Sequence, residues 1–211
     1  MTFPTGNQRG DGLLSIIRSV ACVLLVGLCL SVPSISDAAP EAEEGQLFAA
    51  WLRHLCQETR WVREDDTGPF KIVLVGKDRS KITEAISGGI ASATYQIQER
   101  KVELGRVMEL EDVGGDALAG AHLVVFLQID DGDTQNIVNR LKGRDVLTVG
   151  SRSGSRDSGV MVELLKKNRR MRMTVDYARV KSCGLSMHSD FLALGERAGG
   201  PIEVLKKEDS R

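Results

Sequence analysis

The chain has 211 residues, and its 28 lysines and arginines nearly balance its 29 aspartates and glutamates, which gives a formal net charge of −1. A chain of this length can bury a substantial core, and its 42% of hydrophobic residues fits a folded domain. The near-zero charge excludes a global basic field that would hold a polyanion, so no nucleic-acid partner is expected.

The N-terminal 38 residues have the order of an export signal. Arg9 and Arg18 form a basic region, and the uncharged apolar run Val20–Val32 that follows is shorter than the roughly 20 residues needed to span a membrane. Small residues then lead to a cleavage position after Ala38. We therefore predict a signal peptide at residues 1–38 and an exported chain with no membrane span after cleavage. The alternative is an uncleaved N-terminal anchor.

The first half of the mature chain predicts alternating helices and strands. Residues 39–45 are expected to be a flexible leader, and apolar residues at helical spacing predict a helix from about Gln46 to Arg60. The apolar runs Phe70–Gly76 and Ala121–Ile129 predict buried strands, and helical segments follow both of them. Strands separated by helices at this spacing predict crossover connections and a largely parallel sheet.

The segment ELLKKNRRMRMTV, residues 163–175, predicts a β-hairpin with a basic tip. Apolar residues alternate with polar ones on both sides of KKNRR, and Asn168 suits the left-handed position of a turn. The charges at the tip are expected to contact the rim of a protein interface, or else to form a solvated loop. The basic residues of this cluster are Lys166, Lys167, Arg169, Arg170 and Arg172.

The C-terminal third completes the predicted fold. Asp176 and Gly184 are expected to cap a short helix, and a last helix begins near Ser189. We therefore predict an α/β fold: a single compact domain at residues 46–198 with a largely parallel sheet, crossover helices, and a C-terminal β-hairpin followed by two short helices. Residues 199–211 are expected to be a charged, frayed tail.

The four cysteines divide between the signal and the domain. Cys22 and Cys29 leave with the signal peptide, whereas Cys56 and Cys183 remain in the exported chain. An even number of cysteines in an oxidising compartment favours a disulfide between them. The alternative is two buried free thiols.

The sequence shows no catalytic or metal-binding constellation. Gly76 and Lys77 follow a strand, but the other glycine and the Ser or Thr that a phosphate loop requires are missing. No serine lies in a G-x-S-x-G turn, and His122, at the start of a predicted core strand, is interpreted as structural. We therefore expect a binding protein without a cofactor or metal, and not an enzyme.

Trp61, Arg63 and His188 are the candidate ligand-binding residues. An aromatic face, a cation and a titratable ring can together hold a small anionic or aromatic ligand. The alternative is that Trp61 anchors the packing and His188 is a surface residue.

The order of these segments resembles the YfiR-like family of small exported bacterial proteins over about Ala49 to Leu194. The resemblance rests on an apolar helix ending in Trp, AAWLRHLCQETRW, and on the segments FKIVLVGKDRSKITEAI and LAGAHLVVFL. Its most specific part is the hairpin GVMVELLKKNRRMRMTV followed by DYARVKSCGL. The resemblance implies a compact α/β domain in the periplasm, often as a homodimer. The best-known member represses an inner-membrane diguanylate cyclase by binding its periplasmic sensor region.

Two functions from different classes remain open. The first is a regulatory protein that binds an inner-membrane signalling protein through the partner's periplasmic domain. The second is a periplasmic small-molecule-binding protein that feeds a sensor kinase or transporter. The redox-linked disulfide control of the family is not carried over, because Ala121 stands where members often have a cysteine and Ser158–Gly159 where they often have two glycines.

Overall fold

The structure, a computed structural model, describes residues 40–61, 67–92, 95–107, 117–168, 170–196 and 202–205. The helices in this part are α1 Pro40–Glu58, α2 Ile82–Ile90, α3 Asp131–Leu141, α4 Tyr177–Ser182 and α5 Ser189–Glu196. The strands are β1 Thr59–Arg60, β2 Phe70–Val75, β3 Gln96–Ile97, β4 Arg100–Val107, β5 Leu123–Phe126, β6 Leu147–Gly150, β7 Val162–Lys167, β8 Arg170–Asp176, β9 Ser186–Met187 and β10 Ile202–Leu205. A 3₁₀ helix, Ser155–Ser158, precedes β7.

None of the helices in the described ranges is both long enough and apolar enough to cross a membrane.

Eight of these strands form one sheet in the order β10-β8-β7-β6-β5-β2-β4-β3. The pairs β10–β8, β7–β6, β6–β5, β5–β2 and β2–β4 are parallel, whereas β8–β7 and β4–β3 are antiparallel. Helix α2 lies on the connection from β2 to β4, and α3 lies on the connection from β5 to β6, so both helices are crossovers. The structure confirms the predicted α/β class and the single compact domain.

The central strands are apolar on both faces because helices cover both sides of the sheet. Every residue of β5, LVVF, is buried. One face of the sheet packs against Leu52 and Leu55 of α1, and the other face packs against Ile137 and Leu141 of α3. Within the described ranges, the core cluster around α3 includes no residue of β7 or β8. Helix α3 therefore leaves the outward side of the hairpin uncovered.

Helix α1 begins at Pro40, not near Gln46 as predicted, and so includes most of the expected leader. Proline is tolerated in the first turn of a helix, where its missing N–H has no intrahelical partner. Glu44 accepts a hydrogen bond from Ser80 Oγ at 3.0 Å and forms an ion pair with Lys166 at 3.7 Å. These contacts with distant parts of the chain tie the added turns to the domain.

The segment expected to be a frayed tail contains a strand of the sheet. Strand β10 pairs in parallel with β8, and Ile202 is buried against the core. Charged residues dominate the composition of this segment, so composition alone did not predict the short strand. The predicted signal peptide lies outside the described residues.

The predicted hairpin and the short helix after it are present, but the turn is tighter than KKNRR implied. Strand β7 extends to Lys167, which is the register partner of Arg170. Asn168 has φ +53°, the left-handed conformation predicted for it. Asp176 caps α4 by accepting a hydrogen bond from Arg179 N at 3.1 Å.

Candidate functional site

Among the described residues of the β7–β8 hairpin, three cations lie on the outward face. Residues alternate between the faces of a strand, so the buried Leu164 and Met173 direct Lys167 and Arg172 to the opposite side. Arg170 is paired with Lys167 and lies on the same face. Lys167 and Arg170 are exposed and Arg172 is half-buried. We call Lys167, Arg170 and Arg172 the basic face.

The basic face lines a groove of about 780 Å³. Leu165 adds apolar surface to the groove, and two carboxylates, Glu163 and Glu203, also line it. The Glu163 carboxylate accepts hydrogen bonds from Ser155 Oγ and Arg156 N, each at 3.4 Å, and Glu203 accepts one from a threonine hydroxyl on β8. Both carboxylates thus already have protein donors, while two of the three cations are exposed to solvent.

Lys166 does not belong to this face. Its side chain lies on the α1 side of the sheet, where Nζ is 3.7 Å from Glu44 Oε2. The predicted interface residue Arg169 lies outside the described residues. Strand alternation therefore divides the described members of the basic cluster: Lys166 lies on the α1 side, and the basic face lies outward.

The predicted ligand residue Trp61 is engaged in packing. Its indole lies edge-on to Phe70, with ring centroids 5.1 Å apart, and Nε1 donates a hydrogen bond to His122 O at 3.2 Å. His122 is buried, stacks on Phe70 at 4.8 Å, and accepts a hydrogen bond from Lys71 N through Nδ1 at 3.0 Å. These contacts support a structural role for His122 and for Trp61.

His188 lies apart from Trp61, at the other end of a short strand pair. Strand β1 pairs with β9 in a register that joins Thr59 to Met187, which places His188 opposite Glu58. His188 N donates to Glu58 O at 3.0 Å. The side chain of His188 is exposed, and its Nε2 accepts a hydrogen bond from Arg60 Nε at 3.3 Å.

The cation that accompanies His188 is therefore Arg60. Arg63, the predicted cation, lies outside the described residues. In the sequence, Arg60 stands out only as a cation at the end of the predicted first helix. The pairing of β1 with β9 brings it to His188, which is 128 positions away in the chain.

Comparison with protein-family models gives a match over most of the domain. Residues 45–196 match the model described as YfiR/HmsC-like, which is most of the chain. The chain belongs to the YfiR/HmsC-like family. A search of curated proteins finds no match.

Membership of the YfiR/HmsC-like family gives the chain a general role. Proteins of this family are regulatory rather than catalytic, act through partner proteins and belong to the periplasm. In the ranges that the structure describes, no three His, Cys, Asp or Glu side chains are grouped so that they could hold a metal ion. The basic face and the Arg60–His188 pair are then candidate contacts for binding.

The disulfide predicted between Cys56 and Cys183 is not present in the structure, where both are free thiols. Cys56 is completely buried on α1, and burial raises the pKa of its thiol. Cys183 is half-buried at the end of α4 and lines a cleft beside α3. The two thiols thus have different surroundings, one in the core and one at the surface.

Proposed function

We propose that the chain is a periplasmic regulator that restrains an inner-membrane diguanylate cyclase, and thereby cyclic-di-GMP signalling, by binding the periplasmic sensor region of the cyclase. The observation that carries this proposal is the match to the YfiR/HmsC-like family over residues 45–196. The basic, apolar and small-residue order of residues 1–38 supports export to the periplasm.

The basic face is the contact that we assign to the rim of this interface. Its cations are carried on paired strands, so the backbone holds them in a fixed arrangement. An acidic surface on the sensor region would be attracted to them over about 10 Å at ordinary ionic strength. Exposed charges of this kind speed the encounter of two proteins more than they strengthen the final complex. Leu165 offers adjoining apolar surface for the bound state.

The test is capture of the partner from membranes of the native bacterium. A tagged full-length chain is cross-linked in cells, purified and analysed by mass spectrometry. The proposal expects a membrane protein that combines a periplasmic region with a diguanylate cyclase domain. Recovery of a sensor kinase or a transporter, with no cyclase, would contradict it.

A second candidate function is to bind a small molecule in the periplasm and to present it to a sensor kinase or a transporter. The Arg60–His188 pair favours it, because a guanidinium and an imidazole side by side can hold an anionic group. Tryptophan fluorescence, titrated with nucleotides and aromatic amino acids, tests it in the wild type and in His188→Ala. Identical responses of the two proteins would remove His188 from the site.

A further inference from the structure

A cleft of about 260 Å³ lies between α3, α4 and the 3₁₀ helix, away from the basic face. Its wall combines apolar side chains, Val138, Leu141 and Met161, with a comparable share of polar ones. Its rim is polar and exposed, with Gln135 on α3 and Lys142 directly after the helix. Apolar side chains combined with convergent polar groups are the usual lining of a small-molecule site.

Thr148 places a hydrogen-bond donor inside this cleft. The residue is only 1% exposed, and its hydroxyl accepts a hydrogen bond from Met161 N at 3.0 Å. This is the only hydrogen bond of the Thr148 side chain within the described part of the chain. A hydroxyl that accepts in this way still has its own hydrogen to donate. A ligand with an acceptor group would satisfy it.

Arg179 supplies a second donor and a positive charge on the cleft wall. Nε forms an ion pair with Asp176 at 3.1 Å, and Nη1 donates to Arg156 O at 2.9 Å and to Val160 O at 3.4 Å. These bonds hold the guanidinium in place. They leave Nη2 without a protein partner among the described residues.

The backbone at Gly159 contributes to the open volume of the cleft. Gly159 lines the cleft with φ +100°, a conformation that disfavours any residue with a side chain. A Cβ atom there would lie 3.2 Å from Val138 Cγ1. The missing side chain keeps Val138 accessible from within the cleft.

We propose that this cleft binds a small carboxylic acid with an aliphatic body. The carboxylate accepts hydrogen bonds from the Thr148 hydroxyl and the Arg179 guanidinium, and Lys142 at the rim adds a further positive charge. The aliphatic body packs against Val138 and the other apolar side chains of the wall. Asp157, which also lines the cleft, disfavours ligands with several negative charges such as nucleotides.

Fluorine NMR on the purified full chain tests this site with trifluorobutyrate as the probe. The fluorine signal of the probe is expected to broaden and shift saturably with protein, while the neutral alcohol trifluorobutanol is not expected to respond. Val138→Phe, which fills the cleft, should abolish the response to the carboxylate. Lys142→Ala should weaken binding about threefold, the effect of one exposed charge. Lys101→Ala, an exposed lysine on β4, is the matched control and should bind normally.

Cys183 gives a second measurement that does not depend on these variants. It lines the cleft, so bound trifluorobutyrate should slow its reaction with a thiol reagent in the folded wild type. An equal response to acid and alcohol, binding that persists in a folded Val138→Phe, or an unchanged Cys183 reaction rate at saturating probe would each overturn the proposal. The assay uses no partner protein, so its result is independent of the cyclase proposal.

Discussion

Lys166 and Lys167 are neighbours in the chain, but they act on opposite sides of the sheet. Lys166 Nζ lies 3.7 Å from Glu44 Oε2 of α1, whereas Lys167 is exposed beside its register partner Arg170 on the outward face. Alternation along a strand imposes this separation. One cation therefore ties the hairpin to the first helix, and the other is available to a partner.

Charge reversal on the basic face is expected to slow association with the sensor region. For the double variant Lys167→Glu, Arg170→Glu we expect an association rate about tenfold lower at low salt, with little change in the dissociation rate, because these charges steer the encounter. Surface plasmon resonance at two salt concentrations measures both rates. The matched control is Lys77→Glu, Lys101→Glu, which reverses two exposed lysines elsewhere. An equal loss in both double variants would remove the basic face from the interface.

Close packing of α1 on the start of α2 makes Gly45 a sensitive position. A Cβ atom at Gly45 would lie 2.8 Å from Lys81 O, a backbone atom that cannot easily move. We expect Gly45→Ala to lower the free energy of unfolding by about 1–3 kcal/mol.

The control for this substitution is Gly88→Ala, within α2. A Cβ atom at Gly88 would meet nothing within 4 Å, so alanine there should raise the free energy of unfolding by about 0.5–1 kcal/mol. Urea unfolding of the two variants measures both effects. Equal stability of the two variants would contradict the packing of α1 on α2.

Asp131 is expected to make stability depend on pH. A hydrogen bond from Ser158 Oγ, at 2.7 Å, and the nearby Arg152 hold the pKa of Asp131 below its ordinary value of 3.8. Because the folded-state pKa is the lower one, the ionised carboxylate stabilises the fold above pH 3.8, and this contribution is lost as the pH falls through the folded-state value.

The substitution Asp131→Asn therefore should be less stable than the wild type at neutral pH, and the difference should shrink on acidification. Urea unfolding between pH 7 and pH 3 measures the stability difference between the variant and the wild type. The control is Glu103→Gln, which replaces an exposed carboxylate on β4. A stability difference that does not change with pH would contradict the role of the Asp131 charge.

Local sequence patterns were sufficient to predict those helices and strands whose structure depends mainly on their own residues. The apolar runs predicted β2 and β5, and Asp176 with Gly184 predicted the limits of α4. The alternation that buries Leu164 also assigns Lys166 and Lys167 to opposite faces, so the sequence itself contains the signal that divides the basic cluster.

Features that depend on distant contacts could not be predicted from local patterns. The early start of α1 depends on Glu44 meeting Ser80 and Lys166. The packing of Trp61 on Phe70 and His122 requires the sheet to be assembled first. The charged residues around Ile202 likewise gave no indication that a strand would be ordered there by pairing with β8.

The two thiols are expected to react at very different rates. Cys183 is half-buried and should be labelled quickly in the native, unreduced protein. Cys56 should be labelled only after unfolding, because it is buried and its raised pKa disfavours the reactive thiolate. Mass spectrometry of the labelled chain counts the modified cysteines. If the denatured, unreduced chain shows no free thiol, the disulfide predicted from the sequence forms after all.

The central claim is that the chain restrains a diguanylate cyclase, and the level of cyclic-di-GMP in a deletion strain tests it most directly. The gene is deleted in the native bacterium, and cyclic-di-GMP is quantified by mass spectrometry beside the wild type and a strain that carries the restored gene. Loss of the restraint should raise cyclic-di-GMP, and the restored gene should return it to the wild-type level. An unchanged or lower level in the deletion strain would contradict the account.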